Sequence, residues 1–524
     1  MKARAIVAIA ILSCAVVSGG WLVQRGLGPT GRVSAPAKVD GARLFSQVLE
    51  RVEQDYVDST AAKDVYRRAV DGLMLELGDP HSAYLTADRL SRLNEATSGQ
   101  YAGVGIEIDV REGWITVVRP LPDSPAESAG IRTGDRIVAI DGKSTYRWTR
   151  EEAQKGLRGQ AGTPVAMSIE RYGMSGKIPM NMTRRRIQVR PVQHALILRG
   201  DVGYLDLLSF SDSAAPELHR QIDSLRSAGM KRLILDLRGD PGGLLDQGVA
   251  VADLFLEPGQ SIVSMRGRTA EVTRSYADRQ PQQWPDLLVS VLVDSLSASA
   301  SEIVAGALQD HDRAVVIGTT TYGKGSAQTV YAVQGGGLKL TIAKWFTPAG
   351  RSITRSHGPA ISEDSAKKLA DRAPKFRTDG GREVNGNGGI RPDIIVTDSV
   401  GSLAGLALTR AVGTKANDFR DVLTSYAMSF KASGAIRSPD FVVTPQMRAE
   451  LIRRLAERKV VIDSATARTS GGLLDRYLAL QIARYLFGTP AEFRRSLDND
   501  LVVKRALSIL TTSKNQKEAI EAAK

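Results

Sequence analysis

Residues 287–310 read LLVSVLVDSLSASASEIVAGALQD, and the parsing of this stretch decides the fold. Its first part, LLVSVLVD, is a nearly unbroken run of aliphatic side chains, the pattern of a strand covered on both faces. Its second part, SASEIVAGALQD, carries apolar residues at helical spacing, and Ser299 with Glu302 three positions on forms a capping-box pattern ahead of IVAGAL. A strand that runs directly into a helix is half of a βαβ unit. The same alternation recurs on either side. VGYLDLLSF (202–210), KRLILDLRG (231–239) and RAVVIGT (313–319) are strand signals, and APELHRQIDSLRSAG (215–229) and LLDQGVAVADLFL (244–256) have helical spacing. This predicts parallel strands flanked by helices, with the chemistry on loops at the strand ends. LKLTIAKWF (338–346) adds a later strand, and the polar, Gly-rich stretch 352–389 reads as a surface insertion.

Working outward, 524 residues are too many for one core and predict a modular chain. With 42% hydrophobic and 24% charged residues, most of it folds in water. The net charge of +13 is spread along the sequence, with Arg184, Arg185 and Arg186 as a short run, and no nucleic-acid motif accompanies it, which argues against nucleic acid as a partner. Cys14 is the single cysteine, so neither an intramolecular disulfide nor a multi-cysteine metal site can form. It lies in an uncharged run, residues 5–23, preceded by Lys2 and Arg4; as a helix this would span roughly 28 Å. Residues 1–25 are therefore expected to be an uncleaved signal anchor, with a cleaved signal peptide as the alternative. Either exports the remainder. Residues 26–40 read as a linker, and 41–97 as a small helical region capping the main domain, with a helix end at Gly78-Asp79-Pro80.

From Gly99 the period shortens. VGIEIDV (104–110), WITVVR (114–119), DRIVAIDG (135–142) and PVAMSIERY (164–172) are strand signals, with helices expected at SPAESAGI (124–131) and TREEAQKGLRG (149–159). This unit, placed at 98–186, resembles a PDZ domain in its glycine loop Ala102-Gly103-Val104-Gly105-Ile106 and, more specifically, in GIRTGDRIVAIDGK (130–143). The resemblance implies that backbone N–H groups of that loop hold a peptide's terminal carboxylate while the peptide adds as a strand. The plainer reading is that the glycines relieve a bulge. Residues 401–524 carry helical patterns such as MRAELIRRLAERK (447–459), whose charges read as solvated faces.

A nucleophilic serine needs a base, and none of His81, His194, His219, His311 and His357 stands in a triad context. Lys324 is the better candidate. It sits between Gly323 and Gly325 just after the strand RAVVIGT, in a loop that permits close backbone approach, and burial there would favour its neutral form. GKG lacks the remaining elements of a Walker A site. SASASEIVAGALQD (297–310), RAVVIGTTTYGKGSAQ (313–328), LKLTIAKWFTPAGRSI (338–353) and GGIRPDIIV (388–396) together resemble the carboxyl-terminal processing proteases, Ser/Lys peptidases that carry a PDZ domain. The resemblance covers roughly residues 41–398. It implies Ser299 as nucleophile, Lys324 as base 25 positions later, Gln328 as the residue that positions the lysine, and the N–H groups of Gly243 and Ala300 as the oxyanion hole. Asp240 departs from the Asn that is common in the family's LRxNPGG loop.

The expected architecture is thus a multidomain α/β chain: helical region, PDZ domain, ClpP/crotonase-like βαβ core at 187–400, and a C-terminal helical extension. The expected function is an exported serine endopeptidase, anchored in the inner membrane of a bacterial envelope and facing the periplasm, that recognises apolar protein C-termini and cleaves near them. No metal or other cofactor is implied, and an adaptor or a second copy of the chain remains open as partner. A non-catalytic PDZ adaptor and a crotonase-like acyl-transfer enzyme are the alternatives.

Overall fold

The computed structural model describes residues 40–172, 174–355, 374–397 and 403–523. The apolar run 5–23 with Cys14, nearly all of the linker, and His357 lie outside them. Among the described residues no helix is long and apolar enough to cross a membrane. The chain divides into two units, Met1–Tyr84 and Leu85–Lys524.

In the first unit, helices Gly41–Asp55 and Ala62–Glu76 bury Leu49, Val65 and Met74. Asp40 caps the first by accepting the N–H groups of Ala42 (3.2 Å) and Arg43 (3.3 Å). Gly78, at φ +65°, follows the end of the second, where the sequence places it.

The second unit opens with helix Ala87–Ser98, closed by Gly99 at φ +67°. An antiparallel sheet follows, built from Ile106–Arg111, Trp114–Pro120, Arg136–Ile140, Pro164–Glu170 and Ile178–Thr183 in that order, with Lys143–Ser144 paired to Arg136–Ile140. Two helices complete it. Pro125–Ser128 is capped by Ser124, and Arg150–Leu157 by a full box between Thr149 and Glu152. Their shared core includes Val104, Ile115, Val117, Ile137, Ala153, Leu157 and Ile169.

A six-stranded sheet runs in the order Ala195–Arg199, Val202–Asp206, Arg232–Asp236, Leu288–Val293, Val315–Gly318, Ile394–Ile395. The first pair is an antiparallel hairpin and all later pairs are parallel. The register sets Asp206 level with Asp236, Asp236 with Leu292, and Leu292 with Ile317. The carboxyl ends of four strands therefore lie in line, and the loops that leave them converge. Alternate residues face opposite ways: Leu233, Leu235, Val289, Val291 and Val316 pack on helices Ala214–Ser227, Leu245–Asp253 and Ala300–Asp310. Tyr204, Ile234, Leu292, Val315 and Ile317 pack on the other side, against Leu497, Val502, Val503, Ala506, Ile509 and Leu510 of the C-terminal extension.

One reading of the sequence changes here and another is extended. The charged faces of the C-terminal helices stay outward, while the apolar faces of helices Thr489–Asp498 and Leu501–Thr512 cover a whole face of the parallel sheet, which the sequence did not reveal. The described residues of stretch 352–389 are only partly surface. Ile353 is fully buried, as is Ile390 just beyond the stretch, and Lys375–Arg377 pairs with Glu383–Asn385 as a ribbon. LKLTIAKWF belongs to a longer strand, Gly336–Phe346, of a separate antiparallel sheet with Ser326–Val333, Ser261–Gly267 and Arg274–Ala277.

Candidate active site

Three loops from the aligned strand ends meet around Ser299. The strand Leu288–Val293 ends in a turn fixed by Asp294, whose Oδ1 accepts the N–H groups of Leu296 (2.9 Å), Ser297 (3.0 Å) and Gly239 (3.0 Å). Ser299 then bends into helix Ala300–Asp310 at φ +55°, ψ −111°. A residue with a Cβ held there stores strain of about 1–3 kcal/mol, which surrounding bonds must hold in place. Ser299 is half-buried and Ala300 fully buried.

The neighbouring serines have definite work. Ser297 Oγ donates to the Leu237 carbonyl (2.8 Å) and Ser301 Oγ to the Asp240 carbonyl (2.9 Å), while the Ala298 N–H also donates to Asp240 (3.0 Å). They stitch the serine segment to the loop 237–243. Ser295 is exposed. Within that loop Gly242 has φ +91°, and a Cβ there would lie 2.8 Å from the Ala300 nitrogen and 2.9 Å from Ser299 Cβ; one on Gly243 would meet the Phe210 oxygen at 2.4 Å. Only glycine permits this approach. Neither the Gly243 nor the Ala300 N–H has a hydrogen-bond acceptor among the described residues. Two free donors thus flank the serine, one of them at a helix N-terminus.

The third loop carries Lys324. Its Tyr322 N–H donates to the Ser297 carbonyl (3.0 Å), so the loop lies against the serine segment. Glu302 makes the tighter link. Its fully buried carboxylate accepts the N–H of Ser299 (2.8 Å), Gly323 (2.7 Å) and Lys324 (2.9 Å) and the Thr321 hydroxyl (2.5 Å). Burial pushes this carboxyl above its ordinary range, and the four donors pull it back. The sequence offered Glu302 only as a capping residue; its bonds to residues about twenty positions away leave no local signal. Gln328 stands on strand Ser326–Val333, its amide donating to Ser326 (2.9 Å) and Thr341 (3.1 Å).

Three histidines have acidic partners elsewhere: His194 with Asp206, His219 with Asp223, and His311 with Asp379. Beside the Gly242–Gly243 loop, Arg238 is clamped by Asp236 (2.6 Å) and by Asp500 of the extension (2.8 Å), and the Tyr204 hydroxyl donates to Asp236 (2.7 Å).

In the antiparallel domain, a cavity of about 260 Å³ lies between strand Ile106–Arg111 and helix Arg150–Leu157. Val104, Gly105, Ile106, Ile108 and Leu157 line it, with Arg119, Arg150 and Arg158 at its polar parts. Gly105 has φ +76°, and a Cβ there would stand 2.3 Å from Ser124 Cβ. Ala102 and Gly103 belong to strand Gln100–Gly103, paired with Arg185–Gln188, and do not line the cavity.

A strained serine between free N–H donors, next to a lysine loop and joined in one chain to a groove-bearing domain, is the layout of a peptidase. Peptidase family S41 matches residues 201–366 and the PDZ domain family residues 116–171. A carboxy-terminal-processing protease of Bartonella bacilliformis is 40% identical over 314 residues, 59% of this chain and 71% of its own. A probable CtpA-like serine protease of Staphylococcus haemolyticus is 33% identical over 372 residues, 70% and 73% of the two chains. Among solved structures, a photosystem II D1 C-terminal processing protease aligns at 26% identity over 72% of this chain and 98% of its own, with a TM-score of 0.37. The chain belongs to peptidase family S41, as a carboxy-terminal-processing protease with a PDZ domain.

Proposed function

We propose that this protease is an exported serine endopeptidase working through Ser299 and Lys324, with substrates delivered by their C-termini. The observation that carries the reading is the Glu302 carboxylate, which holds the main chain of both residues at 2.8 and 2.9 Å. It fixes two groups that are far apart in sequence at one place.

The Lys324 amine takes the Ser299 hydroxyl proton as Oγ attacks the scissile carbonyl carbon. The carbonyl oxygen becomes an anion and accepts the N–H groups of Gly243 and Ala300; losing one such donor typically costs about 2.7–4 kcal/mol of barrier. Collapse breaks the C–N bond, and the lysine ammonium gives its proton to the leaving amine. Water, giving a proton to the Lys324 amine, then attacks the ester carbonyl; as the ester C–O bond breaks, the lysine ammonium returns that proton to Ser299 Oγ and the carboxylic acid product leaves. Gln328, fixed by Ser326 and Thr341, positions the lysine side chain.

The groove beside Ile106–Arg111 takes the substrate's C-terminus as an added strand, its carboxylate on the N–H groups of residues 104–106 and its last apolar side chain in the cavity. The apolar run 5–23 anchors the enzyme in the inner membrane with the catalytic unit in the periplasm, and the charge of +13 adds attraction to anionic lipid.

The test is cleavage of an unstructured protein with an apolar C-terminus. Wild type is expected to cut it and Ser299→Ala and Lys324→Ala are not. Cleavage by either variant would overturn the dyad.

A further inference from the structure

The loop 237–243 holds a carboxyl group that the reaction above does not use. Asp240 is fully buried. Its Oδ1 accepts the Gly242 N–H (2.7 Å), and its Oδ2, shielded from solvent, has no hydrogen-bond partner. Its main-chain carbonyl is bound twice, by the Ala298 N–H (3.0 Å) and Ser301 Oγ (2.9 Å). One residue therefore connects the turn that presents Gly242 and Gly243 with the segment that carries Ser299. The turn has no slack, because even a methyl group on Gly242 would come within 2.5 Å of the Ala298 oxygen.

A carboxylate anion would have no cationic partner at this place. The charged groups on the elements around it are Asp236, Arg238, Asp246, Asp294, Glu302 and Lys324. Arg238 is committed to Asp236 and Asp500. Asp294 holds the N–H groups of Gly239, Leu296 and Ser297, and Glu302 holds the lysine loop. No ion pair reaches the Asp240 carboxyl among the described residues. Burial pushes it up to about 8, against the pull of the Gly242 N–H and of the nearby Ser301 hydroxyl, which donates to the Asp240 main-chain carbonyl.

We infer that Asp240 works as an uncharged carboxylic acid, a positioning residue that locks the Gly242–Gly243 turn against the Ser299 segment, and that its ionisation in alkaline solution loosens the turn and stops acyl transfer. This rests on the reading of Ser299 as nucleophile and Gly243 as oxyanion donor. Once the proton leaves, an unpaired negative charge sits beside the place where the oxyanion must form. Repulsion and the draw of water pull the turn outward, and a displacement of about 1 Å there is worth roughly a hundredfold in rate. A lysine base alone gives the opposite slope, a rate that rises with pH.

The test uses the full chain as wild type, Asp240→Asn and Ser299→Ala, with an unstructured polypeptide as substrate, from about pH 6 to about pH 10. Wild-type kcat is expected to fall as the pH rises through about 8 while KM holds. Asp240→Asn, a neutral group of the same shape, is expected to match wild type near neutrality and to keep its kcat in alkali. Melting temperature supplies a readout independent of substrate: from this group it should fall for wild type as the pH rises toward about 8 and level off above it, where folded and unfolded chains are both ionised, and it should show no such slope for Asp240→Asn. An Asn variant with the wild-type alkaline fall, one inactive at every pH, or one unable to fold would each overturn the inference. Cleavage by Ser299→Ala would overturn the serine reading itself, whatever Asp240 does.

Discussion

Glu302 and Lys324 are joined by a 2.9 Å hydrogen bond from the lysine's main-chain N–H, and the same carboxylate oxygen accepts the Ser299 N–H at 2.8 Å. A carboxylate is the one side chain that can accept all four donors gathered here. Glu302→Gln turns an acceptor into an NH₂ group aimed at other donors. The expected outcome is a loss of about 2 kcal/mol or more in stability and a drop in kcat of roughly 10- to 100-fold, with KM little changed. Denaturant titration and steady-state kinetics on one tagged substrate check it.

The same carboxyl sets an acid limit. Burial raises its folded-state affinity for a proton above that of the unfolded chain. The fold is therefore favoured by protonated Glu302, and its contribution to stability is lost as pH rises through the raised value. Activity runs the other way, because only the anion accepts four donors. Activity is expected to fall on acidification before exposed carboxylates titrate, while this group's contribution to stability moves in the opposite sense. Glu302→Gln should remove both trends; an unchanged acid limb in that variant would dismiss Glu302 as its source.

Much of this was legible in the sequence. Strands such as Leu288–Val293 are covered on both faces, so they read as continuous apolar runs, and Ser299 fell at the helix cap because capping is a local pattern. What escaped depends on distant partners. Strand Ser326–Val333 is half-exposed and mostly polar at its start, so its pattern is weak. Ile390 is buried although its neighbours are glycines and polar residues, since Thr321 binds its N–H at 2.7 Å. The helix Leu501–Thr512 announces an apolar stripe but not which sheet face it covers. Glu302 was visible as a capping residue and Asp240 as a departure from the family's loop; their further roles lie in contacts that no local pattern encodes.

Gly105 offers a separate handle on substrate capture. At φ +76°, with Ser124 Cβ 2.3 Å from where its own Cβ would be, Gly105→Ala must displace the loop that lines the groove. For a substrate with a free apolar C-terminus, kcat/KM is expected to fall at least about tenfold, mainly through KM. A substrate whose C-terminus is amidated should already be poor and lose little more. Equal losses on both substrates would mean that the loop acts on folding or catalysis and not on carboxylate recognition.

The extension can be tested without touching the catalytic residues. Asp500 caps helix Leu501–Thr512 through the N–H groups of Val502 (2.9 Å) and Val503 (3.0 Å) and also pairs with Arg238 (2.8 Å), which leads into the Gly242–Gly243 turn. Leu510, fully buried, packs on the same sheet face. Leu510→Ala removes packing alone and is expected to cost about 2–5 kcal/mol with kcat preserved in the folded fraction. Asp500→Ala removes the cap, about 1 kcal/mol, and also strips Arg238 of one of its two carboxylates. It should therefore lower kcat in protein that still melts cooperatively, which Leu510→Ala does not. If both variants lose stability and neither loses kcat once folded, the extension is a structural cover. If Asp500→Ala alone slows the chemistry, the extension reaches the active site through Arg238.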